Sequence, residues 1–201
     1  MGNRKLLVTL FVIVAAIQLA VPGKMIWDRE RILETGKEFK FETAPIDPTD
    51  PFRGKYIVLS YKENAVKISS QDQFADGENI FVILKKDQNG FAIIKAISKE
   101  MPKDGVDFVK AQVGSVSGFP ATTLTVSYPF TRFYMEESKA YEAEQAFLKS
   151  QRDSTKTTYA LVNIKNGKAV LKDVLIDGVS VVDLEKEQRT GNGEQRLETR
   201  E

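Results

Sequence analysis

The chain contains neither cysteine nor histidine. The first absence removes disulfides and thiol nucleophiles; the second removes imidazole as a general base. Together they leave a zinc site with carboxylates alone, a ligand set that zinc rarely takes. A charge excess is also missing. The 29 lysines and arginines stand against 28 aspartates and glutamates, so no global field points to nucleic acid or to an acidic substrate. Acid–base chemistry would fall to carboxylates, lysines, tyrosines or a Ser/Thr–Lys pair. A length of 201 residues accommodates one domain, or two small halves sharing a core.

What is present begins with an apolar run. Leu6 to Val21 holds no charged residue, and Gln18 is its one strongly polar member. As helix the run rises roughly 24 Å, somewhat short of a hydrocarbon core of about 30 Å. Continuing through Pro22 and Gly23 closes the gap, with Lys24 snorkelling its ammonium outward and Trp27 at headgroup level. The rival is a cleaved signal peptide, since Arg4 and Lys5 precede the run. Cleavage after Ala20 would put Gln18 where a small residue belongs, and no cysteine exists for lipid attachment. An uncleaved anchor is expected, embedded in a lipid bilayer. Arg4 and Lys5 favour a cytoplasmic N-terminus, although Lys24, Arg29 and Arg31 follow the span. Helix-forming residues run on to Thr35 and meet Gly36, so the helix should extend from about Arg4 to Thr35 as anchor and short stalk.

Beyond Gly36 the pattern is that of strands. Lys55–Tyr61 is rich in β-branched and aromatic residues. Ile80–Leu84 and Phe91–Ile97 flank Asn89-Gly90; Tyr159–Ile164 and Lys168–Ile176 flank Asn166-Gly167. Asn-Gly between apolar runs is the strongest short-range hairpin signal. Val106–Val113 and Thr123–Tyr134 also read as strands. A helix is expected from about Glu136 to Lys149, with Tyr141, Phe147 and Leu148 on one face. The predicted class is α+β, mostly β: residues 1–35 anchor and stalk, 36–184 a β-rich domain, 185–201 a polar tail with too little apolar surface to order itself.

Three short segments recur in the same order. Leu59-Ser60-Tyr61 matches Val126-Ser127-Tyr128, Asn89–Lys95 matches Asn166–Lys172, and Asp104–Val109 matches Asp177–Val182. One reading is a duplicated strand–helix–hairpin–strand unit, which predicts two similar sub-sheets about a pseudo-twofold. The other is that Asn-Gly hairpins resemble one another by physics alone.

From Gly36 onward the chain resembles the GDYXXLXY family of bacterial membrane-anchored proteins. The naming motif stands as Gly54-Lys55-Tyr56-Ile57-Val58-Leu59-Ser60-Tyr61, led in by Thr43 to Arg53. Arg132-Phe133-Tyr134-Met135-Glu136-Glu137, with Glu142 and Glu144, resembles a second family block, and Gly167 to Gly178 a third. Lys55 departs from the aspartate of the name, Phe133-Tyr134 inverts the usual aromatic order, and Glu136 stands where proline is usual. Loss of that aspartate argues for a structural motif. The resemblance implies no established activity. It implies a single-pass protein of the bacterial cytoplasmic membrane with its C-terminal domain in the cell envelope. Its genes commonly neighbour those for multi-pass membrane proteins, which implies a partner of that kind.

Several residues invite a site. In the first motif Gly54 supplies a tight turn, and Tyr56, Leu59 and Tyr61 read as core or, at Tyr56 or Tyr61, as an aromatic docking anchor. Asp47 and Asp50 are calcium ligands by type, but no glycine-bearing ligand loop follows, and an Asp–Arg53 bond fixing a proline-stiffened loop is the simpler reading. Arg132, Glu137 and Glu144 form the remaining polar cluster. A Ser–Lys pair is available by type at Ser60 with Lys62, or Ser69 with Lys67, in no recognisable motif. No catalytic, metal or cofactor residue is assigned. The expected function is a non-enzymatic domain that binds or stabilises a multi-pass membrane protein. The alternative is an envelope hydrolase of Ser–Lys or paired-carboxylate type.

Overall fold

The computed structural model describes residues 2–44, 56–69, 74–118, 122–153 and 155–183. Helix α1, Gly2–Thr35, includes Pro22 and leaves its apolar run outside any protein core, with Phe11 and Leu19 more than 70% exposed. A helix apolar all round needs a non-aqueous surrounding; by length and composition this one is sufficient to cross a membrane. It stops at Gly36, whose N–H donates to the Ile32 carbonyl at 2.8 Å. A Cβ at Gly36 would collide with that same carbonyl, so glycine is needed for this close approach.

The chain then enters strand β1, Lys37–Ala44, where Phe39, Phe41 and Thr43 point inward and charged residues outward. The motif strand expected at Lys55–Tyr61 is two pieces, β2 Tyr56–Val58 and β3 Ser60–Tyr61. They part at Leu59 because they serve different partners: β3 pairs with β1, while the Leu59 N–H donates to Thr131 at 2.8 Å. Next come β4 Ala65–Ile68, β5 Asn79–Lys86, β6 Ala92–Ser98 and β7 Phe108–Ser117. The strand expected at Thr123–Tyr134 is also divided, into β8 Thr122–Ser127 and β9 Arg132–Tyr134, with Pro129 between them lacking a ladder donor. Helix α2, Glu137–Arg152, is followed by β10 Thr158–Lys165, β11 Lys168–Ile176 and β12 Val179–Ser180. On α2 the buried positions are Ala143, Phe147 and Ser150, at helical spacing. Leu148 is half-buried, and the side chain of Tyr141 lies outside the described residues.

The strands form two five-stranded antiparallel sheets and one two-stranded ribbon. The first sheet runs β12-β11-β10-β1-β3, the second β4-β8-β7-β5-β6, and the ribbon is β2-β9. Both sheets share a plan. A central strand, β1 or β7, has an Asn-Gly hairpin on one side and a short strand ending near a tyrosine on the other. The hairpin beside β1 is β10–β11 and the one beside β7 is β5–β6, so each hairpin completes the sheet of the other half. Its turn reaches across as well: Lys40 N–H of β1 donates to Gly90, and Lys110 N–H of β7 donates to Gly167, at 3.2 and 2.9 Å.

Two of the three recurring segments therefore occupy equivalent places, at Tyr61 with Tyr128 and at the two hairpins. The third does not. Strand β7 pairs with the first strand of its hairpin, whereas β12 pairs with the second strand of its own. Among the described residues of the first half there is no helix matching α2; β4 is the element described in that connection. The tail from residue 184 lies outside the described residues.

A single apolar cluster spans both sheets. At its centre Phe41, Tyr61, Tyr128 and Phe130 meet mostly edge to face, with Phe41–Phe130 centroids 5.0 Å apart and Tyr61–Tyr128 at 5.7 Å. Such pairs add about 0.5–1.5 kcal/mol each beyond area burial. Under α2 the buried polar groups satisfy one another. Thr43 Oγ1 donates to the Thr158 carbonyl at 3.0 Å and accepts from Gln151 Nε2 at 2.6 Å, while Ser150 Oγ lies 3.0 Å from Thr158 Oγ1.

Candidate functional site

The family motif is first a piece of core. Ile57, Leu59 and Tyr61 are buried, and Tyr56, Val58 and Ser60 face the other way, as strand alternation dictates. Tyr61 is only 2% exposed, and its hydroxyl donates to the Phe130 carbonyl at 2.6 Å. Tyr128 is equally buried and donates to the Glu63 carbonyl at 2.8 Å. Burial pushes both hydroxyls well above the ordinary tyrosine range, with the neighbouring Tyr128 adding to the effect on Tyr61 and Glu63 to that on Tyr128. Neither phenol is available to a ligand.

The outward face differs. In the β2–β9 ribbon Tyr56 stands opposite Tyr134, and Val58 opposite Arg132. The two tyrosine rings lie 5.3 Å apart, and the Arg132 guanidinium sits 5.2 Å above the Tyr56 ring. Tyr134 is 64% exposed and Val58 44%. Beneath them Ile57 and Phe133 tie the ribbon to the core. Aromatic, aliphatic and guanidinium groups thus share one exposed surface on a firm backing.

Next to the ribbon is a groove of about 550 Å³ whose walls come from three elements. Arg29 is supplied by α1, Arg132 and Tyr134 by β9, Leu171 and Lys172 by β11, and Phe130 by the loop before β9. Lys172 is bonded to Glu38 at 2.9 Å. Arg29 and Arg132 have no ion-pair partner among the described residues. Helix α1 is therefore one wall of the groove, held there by buried Ile32, by Asn163 Nδ2 donating to the Leu33 carbonyl at 2.6 Å, and by Lys168 with Asp28 at 3.1 Å.

Of the residues singled out from the sequence, Asp47, Asp50, Arg53 and Gly54 lie outside the described residues, as does the side chain of Glu137. Arg132 stacks on Tyr56 and makes no ion pair with Glu144, which is half-buried on α2 with its carboxyl raised by desolvation. Of the Ser–Lys candidates, Lys62 is engaged by Glu42 at 2.5 Å. Among the described residues no group of three or more carboxylates is placed to hold a metal. On α1, Leu6, Val21, Lys24 and Trp27, expected to anchor the chain, are all exposed, and Arg31 lies 5.6 Å over the Trp27 ring. Sequence reasoning misses the groove itself, since its walls are distant in the chain. The available signal is Arg132-Phe133-Tyr134, whose alternation places two interaction-prone side chains on the face opposite a core phenylalanine.

The GDYXXLXY protein family model matches residues 18–174, from within the apolar helix to β11. No curated protein and no solved structure matches the chain. The match covers most of its length, including the motif divided between β2 and β3, and the chain belongs to the GDYXXLXY family.

Proposed function

We propose that this protein is a membrane-anchored, non-enzymatic domain that docks on a multi-pass membrane protein, using the outward face of the β2–β9 ribbon. The observation that carries the reading is the outward surface of exposed Tyr134, Arg132 and Val58 around half-buried Tyr56, on a ribbon next to helix α1. Tyrosine and arginine are enriched among the residues that dominate the energetics of protein interfaces, and the rigid, amphipathic tyrosine ring loses little entropy on contact. An anchor adds to this. It confines the domain close to the bilayer, raising the effective concentration of any membrane neighbour without new contacts. Arg4 and Lys5 support a cytoplasmic N-terminus and an extracytoplasmic domain.

The test is affinity purification of the full chain after gentle detergent extraction. A multi-pass membrane protein should accompany the wild type and be lost from Tyr134→Ala and Val58→Lys. Val58→Lys changes an exposed position and should move thermal unfolding by no more than about 0.5 kcal/mol, while Tyr134→Ala also loses its ring contact with Tyr56 and should cost about 0.5–1.5 kcal/mol. A chain that runs alone in several mild detergents, or variants that retain the companion, would refute the reading.

A further inference from the structure

We propose that the groove between α1, β9 and β11 binds the phosphate-bearing headgroup of an anionic phospholipid. The inference rests on the membrane-anchored part of the reading above; the groove shares Arg132 and Tyr134 with the ribbon surface, while Arg29 belongs to the groove alone and Val58 to the ribbon alone. Its first support is charge. Arg29, Arg132 and Lys172 line the groove, and no carboxylate lines it among the described residues. Glu38 neutralises Lys172, which leaves the two guanidiniums without an ion-pair partner among the described residues. Guanidinium is the side-chain group best matched to phosphate, through paired N–H donors in a fixed plane.

Depth is the second support. Arg29 follows Trp27 by two residues, a helical rise of roughly 3 Å. An indole settles at the headgroup level, so Arg29 sits where lipid phosphates are. The β11 wall is fixed to the same helix directly through Lys168 and, by way of its neighbour β10, through Asn163, so it cannot drift from that depth while α1 stays docked. A lipid reaches such a site by lateral diffusion, from a very high local concentration. An acidic peptide would have to be delivered by a partner.

Shape is the third. A volume of about 550 Å³ falls within the range of small-molecule sites, roughly 300–1,000 Å³. Phe130 and Leu171 among the walls offer apolar surface beside the cations, suited to a glycerol backbone and the first methylenes of an acyl chain.

The test uses the full chain in neutral detergent, offered equal amounts of phosphatidylglycerol and phosphatidylcholine, with retained lipid counted by native mass spectrometry. Wild type should retain phosphatidylglycerol over phosphatidylcholine by at least about five-fold, the scale of one well-placed cation near an anionic surface. Arg29→Gln, on an exposed helix face, should reduce the preference several-fold, and Arg29→Gln with Arg132→Gln should abolish it. Lys24→Gln, on the same helix outside the groove, should leave it intact. Equal retention by wild type overturns the proposal, as does a preference that survives the double substitution or falls equally in Lys24→Gln. If glycerol 3-phosphate binds the delipidated chain as tightly as the phospholipid, the occupant is a soluble phosphate and the lipid assignment fails. If an acidic peptide outcompetes the phospholipid, the groove serves a protein instead. Val58→Ser, which removes apolar surface from the ribbon without adding charge opposite Arg132, should weaken partner docking and leave the lipid preference unchanged, separating failure here from failure of docking.

Discussion

Tyr61 and Tyr128 exchange places across the centre of the protein: each hydroxyl donates to the carbonyl two residues beyond the other tyrosine. Tyr61 reaches Phe130 at 2.6 Å and Tyr128 reaches Glu63 at 2.8 Å, with their rings 5.7 Å apart edge to face. Each tyrosine closes the short strand beside a central strand, one in each sheet, so the pair forms the pivot of the two equivalent halves. Removing one hydroxyl leaves a carbonyl in the core without this donor, a loss of about 1–3 kcal/mol. Tyr61→Phe and Tyr128→Phe should each destabilise the detergent-solubilised chain by that amount in denaturant unfolding. Because the rings touch, the double variant should depart from additivity by about 0.5 kcal/mol or more. Two near-neutral single variants would show that the exchange contributes nothing.

The same pair predicts an alkaline limit. Burial raises both folded-state pKa values above the unfolded value of about 10, and the neutral form is the one the fold holds. Their contribution is fully present below about pH 10 and is lost above it, as the unfolded chain releases two protons that the folded chain retains. Stability should then fall by about 2.7 kcal/mol per pH unit from these groups alone. Of the 6 tyrosines, two should gain tyrosinate absorbance only together with unfolding. Smooth titration of all six while the circular dichroism stays native would contradict this.

Glycine at the second hairpin turn has a cause beyond the turn. Asn166 and Gly167 both have positive φ, 50° and 78°, as a two-residue hairpin turn of this twist demands. A Cβ on Gly167 would also lie 2.5 Å from the Phe108 ring and 3.1 Å from Lys110 Cγ, where the turn tucks against β7. Gly105, with φ of 85°, has nothing within 4 Å of its Cβ position. Gly105→Ala should cost about 1–2 kcal/mol of backbone strain. Gly167→Ala should cost a further 1–3 kcal/mol or so for overpacking. Equal melting temperatures for the two variants would mean that the turn does not bear on β7.

These particulars explain what the sequence announces and what it withholds. Asn89-Gly90 and Asn166-Gly167 declare their hairpins because the turn needs residues that tolerate positive φ, a local requirement. The apolar helix and its stop at Gly36 are equally local. Which strand each hairpin joins is decided by pairings between β1 and β10, or β5 and β7, and nothing within a window of ten residues encodes them. The break at Leu59 has the same origin, since Tyr56 and Tyr61 sit on one extended pattern yet pair with β9 and β1 respectively. Strand β1 is not among the expected strands, although Phe39 and Phe41 alternate with charged residues along its 8 residues. The groove is the least legible feature, because Arg29, Arg132 and Lys172 converge from three distant segments.

Membrane retention is open to a direct check. The mature chain should keep Met1–Val21 and remain in the membrane fraction after high-salt washing, because apolar insertion, unlike surface charge, is not screened. Intact mass or N-terminal analysis giving a start near Val21 would identify a cleaved signal instead. A phosphatase fused at Glu185 should be active outside the cytoplasm; an active cytoplasmic reporter at that position would reverse the orientation.

The junction between helix and domain carries the last prediction. The final carbonyls of a helix have no partner within it and must find one elsewhere. Here Asn163 Nδ2 donates to Leu33 O at 2.6 Å, Lys165 Nζ donates to Thr35 Oγ1 at 2.6 Å, and Gly36 N–H closes on Ile32 at 2.8 Å. Asn163 is buried while Lys165 works at the exposed rim, so the amide should matter and the ammonium should not. Asn163→Ala should cost about 1 kcal/mol or more locally, speeding amide exchange across 30–36 roughly five-fold. Lys165→Ala should leave that exchange within about two-fold, as exposed pairs contribute little. The outcome bears on more than stability. Ile32 and Leu33 follow Arg29 on the same helix, so a loosened junction would release one wall of the groove from the other two. If Asn163→Ala leaves exchange unchanged, the helix is not seated by this contact and the groove has no fixed width.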